Sequence, residues 1–139
     1  MTAGSFHALD GSAAILFGDD AQYAEQLTPL NTTSDVFAEF LKLTTAALAA
    51  GTYRIGIAYQ YILSAAATEG EARVQVDDVT TLVTESLSGG SAGDRQTFAT
   101  FFEVNLAAGV HDVDIDVRRP TLPGTVTIDD GKIEIWRVA

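Results

Sequence analysis

From Tyr53 to Leu63 every second residue is large and apolar: Tyr53, Ile55, Ile57, Tyr59, Tyr61 and Leu63. A period of two sustained over this length is the mark of a β-strand with one buried face. The opposite face reads Arg54, Gly56, Ala58, Gln60 and Ile62, small at its centre. Burying the apolar set gains roughly 1.5–3 kcal/mol per side chain. Ordering the backbone costs about 1–2 kcal/mol per residue. Over six side chains and eleven residues the two sums nearly cancel. The strand therefore holds only inside a sheet whose apolar face is covered by a second layer.

The same pattern recurs along the chain. Ala72, Val74 and Val76 alternate with Glu71, Arg73 and Gln75. Phe98, Phe102, Val104 and Leu106 share a face, and Val113, Ile115 and Val117 alternate with Asp112, Asp114 and Asp116. Val126 and Ile128 lead into Asp129-Asp130-Gly131, which reads as a hairpin turn before Ile133 and Ile135. Leu82, Val83 and Leu87 mark another strand, and Val36–Leu43 opens the series. Phe37–Ala50 also fits a helix through Phe37, Phe40, Leu41, Leu43, Ala47 and Leu48, but Thr44-Thr45 and Gly51 favour a strand followed by a turn. Segments 64–70 and 88–96 read as loops, and all three prolines lie outside the strand cores. About eight strands in roughly a hundred residues predict an all-β fold over residues 36–139, a jelly-roll-like antiparallel β-sandwich.

Residues 1–35 show no sustained period, and the first Lys or Arg is Lys42. They read as an extended N-terminal arm with one or two short strands, or with a short helix over Ala21–Leu27 that Asp19-Asp20 would cap. The arm carries Phe6, Phe17 and other large apolar groups, so it is expected to lie against its own domain or a neighbour.

Charge and composition narrow the function. A net charge of −11 disfavours nucleic acid as a partner. The absence of cysteine removes disulfides, thiolate metal sites and a cysteine nucleophile. The longest uncharged stretch, Ile55–Thr68, has 14 residues, short of the roughly 20 that a membrane-spanning helix needs, so no membrane partner is expected. No phosphate-binding loop, dinucleotide fingerprint or nucleophile elbow is present. His111 beside Asp112 reads as a packing or turn residue. The chain is expected to be no enzyme and to need no cofactor.

Asp112, Asp114 and Asp116 project from one face of their strand. Three such carboxylates could hold a calcium ion, but the favoured reading is a solvated outer face with Arg118, Arg119 or a cross-strand arginine moderating the repulsion. Asp77-Asp78 and Asp129-Asp130 read as turn formers. Tyr59, Tyr61 and Trp136 would make a sugar-stacking surface if exposed. The alternation instead puts both tyrosines in the core and leaves Trp136, opposite Ile133 and Ile135, to meet a neighbouring subunit or the returning arm.

Leu48-Ala49-Ala50-Gly51 before Tyr53 is echoed 58 residues later by Leu106-Ala107-Ala108-Gly109 before an alternating strand. The segment Phe40-Leu41-Lys42-Leu43-Thr44-Thr45-Ala46-Ala47-Leu48-Ala49-Ala50-Gly51-Thr52-Tyr53-Arg54-Ile55 resembles part of the small virion proteins of tailed bacteriophages. The resemblance continues through Glu71–Leu82 and Ile133–Val138, covering about residues 36–138 and leaving out the arm. It implies a β-sandwich virion protein, a capsid decoration (cement) protein on the outer surface of the head. Its partners would be the major capsid protein and its own copies, by analogy in a homotrimer. Phe6 and Phe17 would anchor the arm to the capsid. Gly56, Ala58 and Trp136 would form the self-association surface. Leucine–glycine–tyrosine turns of this kind also occur in carbohydrate-binding sandwiches, so a carbohydrate- or receptor-binding module of a tail fibre is the alternative.

Overall fold

The alternating segments form strands that fold as one long, rolled-up hairpin. A computed structural model describes residues 19–65, 68–89, 91–121 and 123–139. Among these, the strands are β1 (Asp19–Gln26), β2 (Leu30–Thr32), β3 (Ala38–Thr44), β4 (Gly51–Leu63), β5 (Glu69–Val76), β6 (Thr80–Leu87), β7 (Arg95–Leu106), β8 (Asp112–Thr121) and β9 (Val126–Arg137). The tip of the hairpin is β5–β6, closed by Asp77 and Asp78, both with positive φ and bridged by the Val79 N–H donating to the Val76 carbonyl at 3.2 Å. Behind the tip, β4 pairs with β7, β3 with β8, and β1 and β2 with β9. Rolling this ribbon so that β9 meets β4 and β8 meets β5 yields two antiparallel sheets, ordered β1-β9-β4-β7 (with β2 also on β9) and β3-β8-β5-β6. This all-β, jelly-roll sandwich is the predicted fold class.

The echoed turns are neighbours. Leu48 and Gly109 exchange backbone hydrogen bonds of 2.7 and 2.9 Å where the ribbon passes from one sheet to the other. Gly109 has φ +139°, a conformation that favours glycine. The core lies between the sheets: Tyr53, Ile55, Val113, Ile115, Val117, Val126, Ile128, Ile133 and Ile135 are fully buried.

The structure differs from the sequence reading at several points. Asp129-Asp130-Gly131 is a β-bulge inside one continuous strand, because β4 runs unbroken beside it with Ala58 opposite Lys132 and Gln60 opposite Asp129. Residues 19–32, read as part of an arm with one or two short strands, do carry two, β1 and β2, but both pair with β9, so the sandwich reaches back at least to Asp19; in place of the alternative Ala21–Leu27 helix, residues 21–26 are strand. The two meet β9 on either side of that bulge, β1 ending opposite Gly131 and β2 starting opposite Ile128. At Phe37–Ala50 the favoured strand is present as β3, and the helical look of the stretch comes from a second bulge between Glu39 and Leu41, which turns both Phe40 and Leu41 into the core and breaks the period of two. Phe40 occupies the space that a side chain at position 131 would need: a Cβ built there would lie 2.3 Å from its Cε1 atom.

Candidate binding surface

Three of the residues singled out from sequence are brought together. Gly56 and Ala58 on β4 and Trp136 on β9 all face outward from the five-stranded sheet, and the indole carbons of Trp136 lie 3.7 and 3.8 Å from the point where a Gly56 side chain would begin. The strand registers extend this patch sideways. One row reads Tyr23, Glu134, Gly56, Phe101, and the next Glu25, Lys132, Ala58, Ala99. Tyr23 is 73% exposed and Phe101 58%. The Arg54 guanidinium lies 4.5 Å above the Phe101 ring and is bonded to Glu103. Shallow depressions surround Lys132, one walled by Tyr23, Glu25 and Glu134, another by Leu27, Gln60, Thr97 and Asp130. The face is thus a floor of small residues with aromatic and charged borders. Phe6 and Phe17 lie outside the described residues.

Phe101 was legible in principle, since its parity opposes Phe98, Phe102 and Val104. Tyr23 was not, because nothing in the irregular N-terminal sequence reveals that β1 joins this sheet. Tyr59 is 1% exposed and stacks on Phe98 at 5.1 Å, and burial holds its hydroxyl pKa well above the ordinary tyrosine range. The Tyr61 hydroxyl donates to the Ser88 carbonyl at 3.0 Å. Neither tyrosine belongs to the outer face.

The acidic strand β8 departs from expectation. Asp114 and Asp116 are 1% and 7% exposed, so their face is covered where a solvated one was expected. The reason is lateral: β8 is an inner strand, and Lys42 and Gln75 flank Asp114 while Glu39 and Arg73 flank Asp116. Phe37 closes the top, with Arg73 and Arg118 at 4.2 and 4.5 Å from its ring. Arg73 is the moderating cross-strand arginine, and Arg118 binds Glu71. Neither carboxylate oxygen of Asp114 accepts a hydrogen bond from a neighbouring donor. Burial first, then the Asp116 and Asp78 carboxylates, push its pKa up to about 7. Among the described residues no three acidic or histidine side chains are arranged to hold a metal ion.

His111 has both ring nitrogens engaged, Nδ1 with Asp77 at 2.8 Å and Nε2 with the Ala107 carbonyl at 2.9 Å. Those two contacts raise its pKa against the opposing effect of burial. The ring ties the β7–β8 turn to the β5–β6 turn, which is a structural role.

No protein-family model matches the sequence, and no curated protein matches it. Solved structures similar to it include the Eiger TNF of S. frugiperda (TM-score 0.57, 13% identity, 88% of this chain and 94% of that one). Dimeric latent PorU from Porphyromonas gingivalis is also similar (TM-score 0.54, 15% identity), with 89% of this chain matching 13% of that one. A third is infectious bursal disease virus, Gt strain (TM-score 0.49, 10% identity, 97% of this chain and 36% of that one). At these identities the likeness to the first two is one of fold, and with the two antiparallel sheets it makes the chain a β-sandwich of jelly-roll type.

Proposed function

We propose that this protein is a structural component of a tailed-phage particle: a decoration protein on the outer surface of the capsid that binds the major capsid protein and associates with its own copies. The observation that carries this reading is the outer face of the five-stranded sheet, where Trp136 is laid across Gly56 beside Ala58, Phe101 and Tyr23. A surface on which exposed rings and small residues alternate with the charges of Glu134 and Lys132 suits a protein–protein contact. The net charge of −11 suits an outward layer that must not adhere to packaged DNA or to other particles. Repetition on a lattice turns individually weak contacts into durable attachment. Phe6 and Phe17, ahead of the first sheet strand, serve in this reading as capsid anchors.

The test is co-sedimentation with intact particles. Many bound copies per head support the reading; a position on the tail or no binding counts against it. Because β1 and β2 belong to the sheet, a deletion probing the anchors must stop at residue 18. That truncated protein is expected to fold and to lose capsid binding.

A second reading, a carbohydrate- or receptor-binding module of a tail fibre, is favoured by one feature. Tyr23 and Phe101 present exposed rings on the face that holds the depressions around Lys132, a border suited to stacking on a sugar. A monomer that binds glycans and loses that binding in Phe101→Ala would support it over the capsid reading.

A further inference from the structure

β7 is the last strand of the five-stranded sheet on the side away from β1. One edge pairs with β4 in unbroken register from Arg95 to Leu106; among the described residues the other edge pairs with no strand. Edge strands are ordinarily protected by shortness, a bulge, a proline, charged side chains or a covering loop, since their free N–H and C=O groups template another strand. β7 runs 12 residues without a bulge or a proline, its two charges, Arg95 and Glu103, flank the middle, and its centre, Thr97-Phe98-Ala99-Thr100-Phe101-Phe102, is uncharged and rich in strand-forming types. The core beneath it is also unfinished. Phe98, Phe102 and Val104 are only partly buried, while Ile55 and Ile57 on the adjacent β4 are sealed.

The order of residues on β7 selects the occupant. An antiparallel strand of the same sequence, centred on Ala99, sets Arg95 opposite Glu103, Gln96 opposite Phe102, Thr97 opposite Phe101 and Phe98 opposite Thr100. Phe98 and Phe101 then face threonines and the only charges meet their opposites, which are favourable cross-strand pairs, while Phe102 faces Gln96. Moving the centre by one residue, to Phe98 or Thr100, puts Arg95 opposite Phe101 or Asn105 and loses both charge pairs. Arg95 and Glu103 are about half exposed; Arg95 is held through Nη1 alone, by Asp129 and Gln60, and Glu103 through one oxygen, by Arg54.

We propose that β7 adds antiparallel to β7 of a second copy, extending the five-stranded sheet across a two-fold axis through Ala99. The contact closes on itself, so it builds dimers or multiples of dimers in place of the three-fold ring expected by analogy. It uses a sheet edge and does not depend on the virion reading.

The chain has no cysteine, so single cysteines report neighbours without background. In this dimer the two copies of residue 99 face each other with Cα atoms about 4.5–5.5 Å apart, within disulfide reach. Residue 58, one strand further in on the same face, lies three strand spacings from its counterpart, about 14 Å and out of reach. Under mild oxidation A99C is expected to form a covalent dimer at least tenfold faster than A58C. Light scattering of the unmodified chain is expected to give a dimer mass. A99K, which opposes two lysines on the axis, is expected to give a monomer mass with unchanged circular dichroism, because Ala99 is exposed in the single chain. Faster crosslinking of A58C would mean that copies stack face to face and would overturn the proposal. A monomeric native chain, or a trimer in which A99C does not crosslink, would overturn it equally.

Discussion

Arg73 donates to Oδ2 of Asp116 from both Nε, at 3.2 Å, and Nη2, at 2.6 Å, across the neighbouring strands β5 and β8. The carboxylate is nearly buried while the guanidinium keeps partial solvent access under Phe37. Removing the cation would leave Asp116 charged, covered and next to Asp114. Arg73→Met is therefore expected to destabilise the fold by about 2–4 kcal/mol, measured by urea unfolding. Arg73→Met combined with Asp116→Asn is expected to recover most of that loss, since the uncompensated charge is gone.

Asp114 makes stability depend on pH. Its unfolded pKa is about 3.9, and burial beside Asp116 and Asp78 raises the folded value to about 7. Between those values the folded state binds more protons than the unfolded state, so this residue's contribution falls as pH rises and levels off above 7. Lys42 offsets part of the effect. Relative to Asp114→Asn, the unmodified chain is expected to lose on the order of 2–4 kcal/mol between pH 4 and pH 8. Thermal melts of both proteins across that range check the slope. Parallel curves would show that Asp114 ionises normally.

His111 acts in the opposite sense to an ordinary neutral histidine. Both of its partners, the Asp77 carboxylate and the Ala107 carbonyl, are acceptors, so both ring nitrogens must carry protons to satisfy them. The pair's contribution is full below the unfolded histidine pKa of about 6.5 and fades as pH rises through the elevated folded value. It fades again in acid as the lowered Asp77 protonates. His111→Asn is expected to cost about 1 kcal/mol near pH 5.5 and less at pH 9, read from denaturant midpoints at the two values.

Gly131 is required by close approach. A Cβ there would meet Cε1 of Phe40 at 2.3 Å and Cδ2 of Leu41 at 3.3 Å, both pointing in from the opposite sheet. Gly131→Ala is expected to cost about 1–3 kcal/mol through overpacking. Pairing it with Phe40→Leu should return part of the loss, and calorimetry on the single and double variants tests the coupling.

Much of this fold is legible in the spacing of its apolar residues. The alternation at Tyr53–Leu63, Ala72–Val76 and Val113–Val117 identified strands and their buried faces, because a period of two admits little else. The parity of Gly56, Ala58 and Trp136 placed them on the outward side. One misreading and one ambiguity share a cause: the strand favoured over a helix at Phe37–Ala50 is present as β3, whereas the hairpin turn expected at Asp129-Asp130-Gly131 is not there. At Phe40-Leu41 and at Asp129-Asp130-Gly131 one extra residue breaks the period, so the first stretch imitates a helix and the second a hairpin turn.

By itself, then, the sequence determined that this chain is all-β, which side of most strands is buried, and that two layers must pack together. Those properties follow from the spacing of apolar groups along a single strand. Only the tertiary structure decided that Asp114 and Asp116 are covered, that β1 and β2 join β9, and that Tyr23, Trp136, Gly56 and Phe101 share one surface. Lateral order in a sheet is set by backbone hydrogen bonds, which are chemically alike for every residue, so neighbours far apart in the chain leave no local pattern to read.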